Sequence, residues 1–485
     1  MQRDRGHGRE ALKIGVALAV ALVVQLWVMT AGLHGVPNWS NFTSRQAQGF
    51  LHRQLSLIER PSAQLLALAD PYDPNTNLHL RLHDAVLFEG KYYIYWGPAP
   101  AALVAAVCRL AGVCDPDFSD AWLVVPMVLG TTILTAVLMA KARAMLFPDL
   151  NPAVTAAPIL SFGLGAPLLY IIARPAIYEL AIFAAQVFLL AGICAAMAGL
   201  RRGGSAAWLL CAGALWAICI GCRVSMLPAV LLVVAGSFFL MHGRSGRAAL
   251  AMLGPIMGML FLLGWYNDAR FHHWTDFGYH WQLAGQPQHR MTYFDTFSFR
   301  YLPLNWYEYL IQLPFIRPTF PFVRANPVMP WLTDAWPRFY MPGAMIGLIW
   351  IQPFLLLTTP GILLARPLTA EAASDHRLGR WVIAMLAAAA SAGAIPILLF
   401  QSAQMRFFMD ALPCLAVLAA IGYWSLLQSL HDKPRLERAA RSAAALLIIA
   451  QSVLALFLAI TGESDNFLSE NPDLYHSLYR FFNGS

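Results

Sequence analysis

Between Asp70 and Pro100 the chain reads DPYDPNTNLHLRLHDAVLFEGKYYIYWGPAP, a polar, proline-punctuated stretch set among segments that are almost pure hydrocarbon. It carries three aspartates (Asp70, Asp73 and Asp84), two cations (Arg81 and Lys91) and the flat faces of Tyr92, Tyr93 and Trp96. A loop aspartate titrates near pH 4, so each is ionised at neutral pH and can accept a proton or a hydrogen bond. Asp70 and Asp73 each precede proline, and Asp-Pro is also a turn former whose carboxylate bonds nearby backbone N–H groups. For Lys91 and the aromatics the alternative reading is an interfacial girdle with a snorkelling lysine.

Four arginines, Arg174, Arg223, Arg270 and Arg406, fall at the ends of apolar runs. A charge there is expensive unless paired, which makes each a functional candidate, and a guanidinium fork matches phosphate geometry. The alternative is local pairing, Arg174 with Glu179 or Arg406 with Asp410, or contact with lipid headgroups. His79 and His83 flank Arg81 at helical i, i+4 spacing and, with Asp84, can hold a divalent ion if that segment is helical. His272, His273, His280 and His289 add to the possibility, but no HExxH spacing occurs. Surface histidines are the favoured reading, and no cofactor is expected, with a divalent metal left open.

Of 485 residues, 58% are hydrophobic and only 12% charged, and the mean hydropathy is +0.55. A soluble domain carries roughly 25% charged residues, so the class is a polytopic membrane protein. The net charge of +7 is spread over short groups between apolar runs, which is a topogenic pattern and not a nucleic-acid-binding face. The seven cysteines lie mostly inside apolar runs as small hydrophobes, and Cys219-Ile-Gly-Cys222 lacks the second pair a zinc site needs.

A bilayer span takes about 20 apolar residues. About eleven runs qualify, near 14–33, 121–140, 153–173, 180–200, 203–222, 224–241, 248–266, 341–365, 381–405, 411–430 and 442–462. Residues 1–33 read as a retained first helix, since no small-residue cleavage pattern follows the run. Arg3, Arg5, Arg9, Lys13, Lys141, Arg143, Arg201, Arg202, Arg244, Arg247, Arg366, Arg377, Arg380, Lys433, Arg435, Arg438 and Arg441 all fall on one side if the N-terminus is cytoplasmic. The expected organisation is a first module over 1–266 with an outer loop at 34–120, then a second outer loop at 267–340. C-terminal helices over 341–462 and an outer tail at 463–485 follow. The short apolar stretch between Gly97 and Gly112 reads as a juxtamembrane or half-inserted helix.

Further motifs are ARPAIYELAI (173–182), YNDARFHHWTDFGYHWQLAG (266–285), NWYEYL with PFIRP and FPF (305–322), and QMRFFMDALPCLAVLAAIG (404–422). Together with the 70–100 stretch, in this order and topology, the chain resembles the GT-C superfamily of integral-membrane glycosyltransferases. It looks most like a bacterial group whose loops have the form DPYDP…R…DA…GKYYxYxGPxP. The resemblance implies an all-α polytopic fold in the bacterial inner membrane with a periplasmic active face. It implies a polyprenyl-phosphate-linked sugar as donor, a lipid or glycan acceptor, surrounding membrane lipid, and inverting transfer. In such a transfer a phosphate leaves without needing a proton, so one base for the acceptor and cations for the departing charge suffice.

The family commonly places an acid just after the first helix, but here PNWSNFT (37–43) offers none before Glu59. The base then falls to Asp84, or to Asp73 or Asp70. Arg81, Lys91, Tyr92, Tyr93, Trp96, Arg174, Arg270 and Arg406 are the substrate-binding candidates. Rival readings are a non-catalytic GT-C-like protein that binds a lipid carrier, and a lipid-linked-sugar transporter or flippase. The transporter would need ionisable groups mid-bilayer, and the apolar runs hold almost none.

Overall fold

The computed structural model describes residues 2–241, 246–326, 337–358, 373–463 and 465–484. Among them, eight helices are long and apolar enough to cross a membrane: Gly8–Met29, Ala121–Leu146, Ile177–Arg201, Val224–Met241, Gly246–Phe271, Arg377–Leu399, Leu412–Ser429 and Pro434–Thr461. Three of the eleven expected runs differ. The run at 153–173 forms two helices bent by 47°, Pro152–Gly163 and Ala166–Ile172. The run at 203–222 forms the shorter helix Ala206–Cys222. The run at 341–365 makes only short turns, Leu348–Ile351 and Pro353–Leu357, before leaving the described residues at 359. Trp331, Trp336, Arg244, Arg366 and Glu371 also lie outside them.

The bend has a local cause. Gly163-Leu164-Gly165 gives little helix propensity, and Pro167 cannot donate to a continuing ladder. Carbonyls freed there would be costly in a bilayer, and long amides from neighbouring helices take them up. Gln25 Nε2 donates to Gly163 O at 2.9 Å, while Gln451 Nε2 and Gln352 Nε2 donate to Ser161 O at 2.9 and 3.2 Å. Thr132 Oγ1 closes the set by donating to Gln25 Oε1 at 3.0 Å. Such interhelical bonds are worth about 0.6–1.7 kcal/mol each, and here they also fix where the helix breaks.

Helices Ile177–Arg201 and Leu412–Ser429 form the centre, enclosed by the others. The surrounding helices keep one face on this core and turn the opposite one outward: Phe239 is 79% and Leu250 72% exposed. Lipid covers such faces at no cost. Close approach depends on glycine at two crossings. A Cβ on Gly213 would sit 2.2 Å from Met252 O, and one on Gly97 would sit 2.2 Å from Gly221 O.

The two long loops pack together at one end of the bundle. Helix Phe42–Leu51 and the short apolar helix Ala99–Leu110 pair with each other, and the latter leaves Val107 and Leu110 outward, as a juxtamembrane helix would. A two-stranded hairpin, Val86–Phe88 against Lys91–Tyr93, lies between them in the chain, with Val86 opposite Tyr93. The second loop adds to its edge through the bridge from Val86 to Gln282.

Candidate active site

Asp84 owes its position to backbone pairing between the two loops. Its N–H donates to Leu283 O at 3.0 Å, and Leu283 N–H donates to Ala85 O at 2.8 Å. Arg81 fastens the preceding turn, donating through Nη1 to Asn77 Oδ1 at 2.8 Å and to Ala284 O at 2.9 Å. Asp84 itself takes φ 62°, a left-handed conformation that aspartate tolerates better than most side chains. The residue is 8% exposed, yet its carboxylate lines a cavity of about 450 Å³. One oxygen accepts from the Tyr178 hydroxyl and the other from Gln282 Nε2 at 3.1 Å.

Three of the four arginines line the same cavity: Arg174, Arg223 and Arg406. Tyr178, in the first turn of the central helix Ile177–Arg201, links the acid to the cations. Its hydroxyl meets Asp84, and the Arg406 guanidinium lies 4.3 Å above its ring centroid. Arg223 is forked onto Asp410, Nε 2.9 Å from both carboxylate oxygens and Nη2 2.8 Å from one. Arg174 and Arg406 share Glu463, at 3.7 and 3.4 Å. Burial works against the charge on Arg406, but the Glu463 and Glu179 carboxylates together with the Tyr178 and Tyr95 phenols outweigh it and hold its pKa above the ordinary value. Tyr95 and Trp96 form a wall, and Gln282, Gln286, Gln288, Gln401 and Gln404 supply uncharged amides around it. Burial pushes the Tyr95 phenol up, so it stays neutral. The arrangement offers one proton acceptor, cations suited to an anionic group, and aromatic faces for an apolar ring surface.

No protein-family model and no curated protein matches the chain. Among solved structures the chain is similar to the archaeal oligosaccharyltransferase AglB from Archaeoglobus fulgidus, in complex with an inhibitory peptide and a dolichol-phosphate. The identity is 15%, with 93% of this chain and 56% of that one covered and a TM-score of 0.42. ArnT from Cupriavidus metallidurans, bound to undecaprenyl phosphate, is similar at 12% identity, with 96% and 78% covered and a TM-score of 0.39. This chain thus spans little more than half the length of the AglB chain it matches.

The other candidates from the sequence go elsewhere. Asp70 accepts from Arg290 Nη2 at 2.6 Å and lies 3.1 Å from His289 Nε2. Burial would raise its pKa, but the bonds from Arg290 and the Tyr72 N–H, with the neighbouring positive charge, hold it below the usual carboxylate value. Asp73 caps the short helix Pro74–Asn77, accepting from Asn75 N at 3.0 Å, which is the turn-former alternative. Lys91 is exposed on the hairpin, while Tyr92 and Tyr93 are buried in its packing, Tyr93 edge-on to Phe271. Trp96 alone of that group reaches the cavity, standing edge-on to Tyr178.

Arg270 is 2% exposed and away from the cavity lining. It spends its donors on Ile94 O at 2.7 Å and Asn267 Oδ1 at 2.9 Å, and so ties a spanning helix to the first loop. The local pairings differ from expectation too. Glu179 accepts from Ala176 N–H and caps its own helix, and Asp410 belongs to Arg223 and not to Arg406. Residues 78–85 form turns and not a helix, which removes the i, i+4 geometry from His79 and His83. His79 is exposed outside the cavity lining, whereas His83 lines the cavity with Nε2 3.7 Å from Asp84 Oδ2. Among the described residues no three His, Cys, Asp or Glu side chains gather as a metal site.

Sequence reasoning missed Tyr178, Gln282, Glu463 and Asp120. Tyr178 and Gln282 sat inside motifs in which only the arginines and histidines were singled out. Asp120 lies outside the cavity lining and fastens the start of helix Phe42–Leu51. It is fully buried and accepts from Ser40 Oγ at 2.5 Å, Phe42 N at 3.0 Å and Thr43 N at 2.9 Å.

Proposed function

We propose that this protein moves a sugar from a polyprenyl-phosphate donor to a lipid or glycan acceptor of the cell envelope, on the periplasmic face of a bacterial inner membrane. Asp84 takes the proton from the acceptor hydroxyl as that oxygen bonds to the anomeric carbon. The bond from carbon to phosphate oxygen breaks on the opposite side, and the phosphate leaves with the electron pair, so the configuration inverts. Arg174 and Arg406 meet the charge of the departing phosphate, and Tyr95 and Trp96 flank the ring. No step requires a metal. The observation that supports this reading is the sharing of one cavity by Asp84, Arg174 and Arg406, with Tyr178 touching both acid and cation.

The test is transfer of labelled sugar from polyprenyl phosphate by reconstituted protein. Asp84→Asn is expected to lose about 10²–10⁴-fold in rate, the usual worth of a positioned base. Undiminished transfer would remove Asp84 from the chemistry. A non-catalytic lipid-carrier-binding protein is the second reading, favoured by one observation: both Asp84 oxygens already accept hydrogen bonds. That reading predicts polyprenyl-phosphate binding with no turnover by the wild type.

A further inference from the structure

Three arginines of the cavity meet carboxylates, in contacts of opposite character. Arg223 and Asp410 make a forked pair at 2.8–2.9 Å, with the Asp410 side chain only 5% exposed. Glu463 stands between two arginines and holds both loosely, with one long hydrogen bond from Arg406 Nη1 and an ion pair to Arg174. Its distances, 3.4 Å to Arg406 and 3.7 Å to Arg174, exceed the roughly 2.7–2.9 Å of a good charged hydrogen bond. Its side chain is 37% exposed. Among the described residues the buried Nε atoms of both Arg174 and Arg406 find no hydrogen-bond partner. Two guanidinium groups therefore share a single loosely held carboxylate and keep donors to spare.

We infer that Glu463 is an exchangeable internal anion, which holds Arg174 and Arg406 in place until a phosphate-bearing ligand displaces it. The inference rests on the phosphate reading of the cavity given above and adds a regulator to it. A phosphate monoester carries up to two charges and three acceptor oxygens, enough to serve both forks where one carboxylate does not. The displaced carboxylate has solvent at hand. After transfer it returns, and competition from it helps to expel the phosphate product. Glu463 is thus a positioning residue that weakens binding and speeds release.

The test uses purified full-length protein and a polyprenyl monophosphate as probe, with the matching polyprenyl alcohol as control. Calorimetric titration is expected to show Glu463→Gln binding the phosphate about tenfold more tightly than wild type, with alcohol binding unchanged. Should Glu463→Gln fail to fold, Glu463→Asp, too short to serve both arginines, is expected to tighten binding in the same direction. A carboxylate that merely braced the fold would give the reverse. Equal or weaker phosphate binding by the Glu463 variants, with binding still lost in Arg406→Ala, overturns the exchange and leaves the phosphate site standing. Binding unaffected by Arg406→Ala overturns both.

Discussion

Gln282 Nε2 stands 3.1 Å from Asp84 Oδ1, an amide of the second long loop against a carboxylate of the first. The backbones beside them exchange hydrogen bonds between Asp84, Ala85 and Leu283, so amide and acid cannot drift apart without breaking the loop–loop contact. Gln282→Leu keeps most of the volume and deletes the donor. Loss of one hydrogen bond to a charged group, roughly 1.5 kcal/mol, is expected to lower turnover about tenfold. Affinity for polyprenyl phosphate, which involves the arginines, is expected to stay as it was. Turnover and affinity measured together decide the matter: an equal fall in both would mean that Gln282 maintains the cavity's shape and not the acid.

Arg223 and Asp410 are a buried pair whose value shows when it is broken. Removing one charge leaves the other unpaired, at a cost of up to about 3–5 kcal/mol where the stranded group is fully buried and less where it faces the cavity, as Arg223 does. Asp410→Leu is expected to lower the unfolding temperature in detergent. The double variant Arg223→Met with Asp410→Leu is expected to recover much of the loss, since it removes the charge left behind. A double variant no better than the single one would place the stabilisation in packing around Asp410.

The spanning helices were legible because the bilayer imposes a length, and eight of the eleven apolar runs are helices long enough to meet it. Hydropathy counts composition and not conformational cost, which is why the run at 341–365 misled. Pro342, Gly343, Gly347 and Pro353 punctuate it, and its described part folds as short turns. The same blindness hid the break after Gly163. The acids of the first loop were legible as a group but not as individuals. Asp70 and Asp73 each precede proline and Asp84 does not, but what places Asp84 at the cavity is pairing with residues near 283. Arg270 and Arg406 likewise end apolar runs. One is spent on the backbone at Ile94, and the other meets Glu463, more than fifty residues further on.

Asp73 lies outside the cavity lining, and its substitution separates a cap from a catalyst. Its Oδ1 accepts from both the backbone and side-chain nitrogens of Asn75, at 3.0 and 3.1 Å. Asp73→Ala is expected to cost about 1 kcal/mol of stability, the usual loss for a helix cap. Sugar transfer at temperatures where the variant is folded is expected to match wild type. A hundredfold loss of transfer with intact unfolding temperature would return Asp73 to the chemistry.

Glu308, in the second loop, ties stability to pH. It lies on helix Leu302–Leu310, 1% exposed, and burial pushes its carboxyl up to about 8, against the opposing pull of the Tyr340 hydroxyl and the Gly343 backbone. In the unfolded chain the same group titrates near 4.5. Between these values the folded protein holds a proton that the unfolded chain has lost, so stability falls as pH rises. This contribution is whole below about pH 4.5 and is lost as pH climbs through about 8. Glu308→Gln has the shape of the protonated acid and no proton to lose. Thermal unfolding in detergent at about pH 6 and about pH 9 is expected to show wild type losing more stability than the variant over that interval. Parallel losses would mean that Glu308 is already ionised in the folded protein at the lower pH, with its charge met by a partner in the loop.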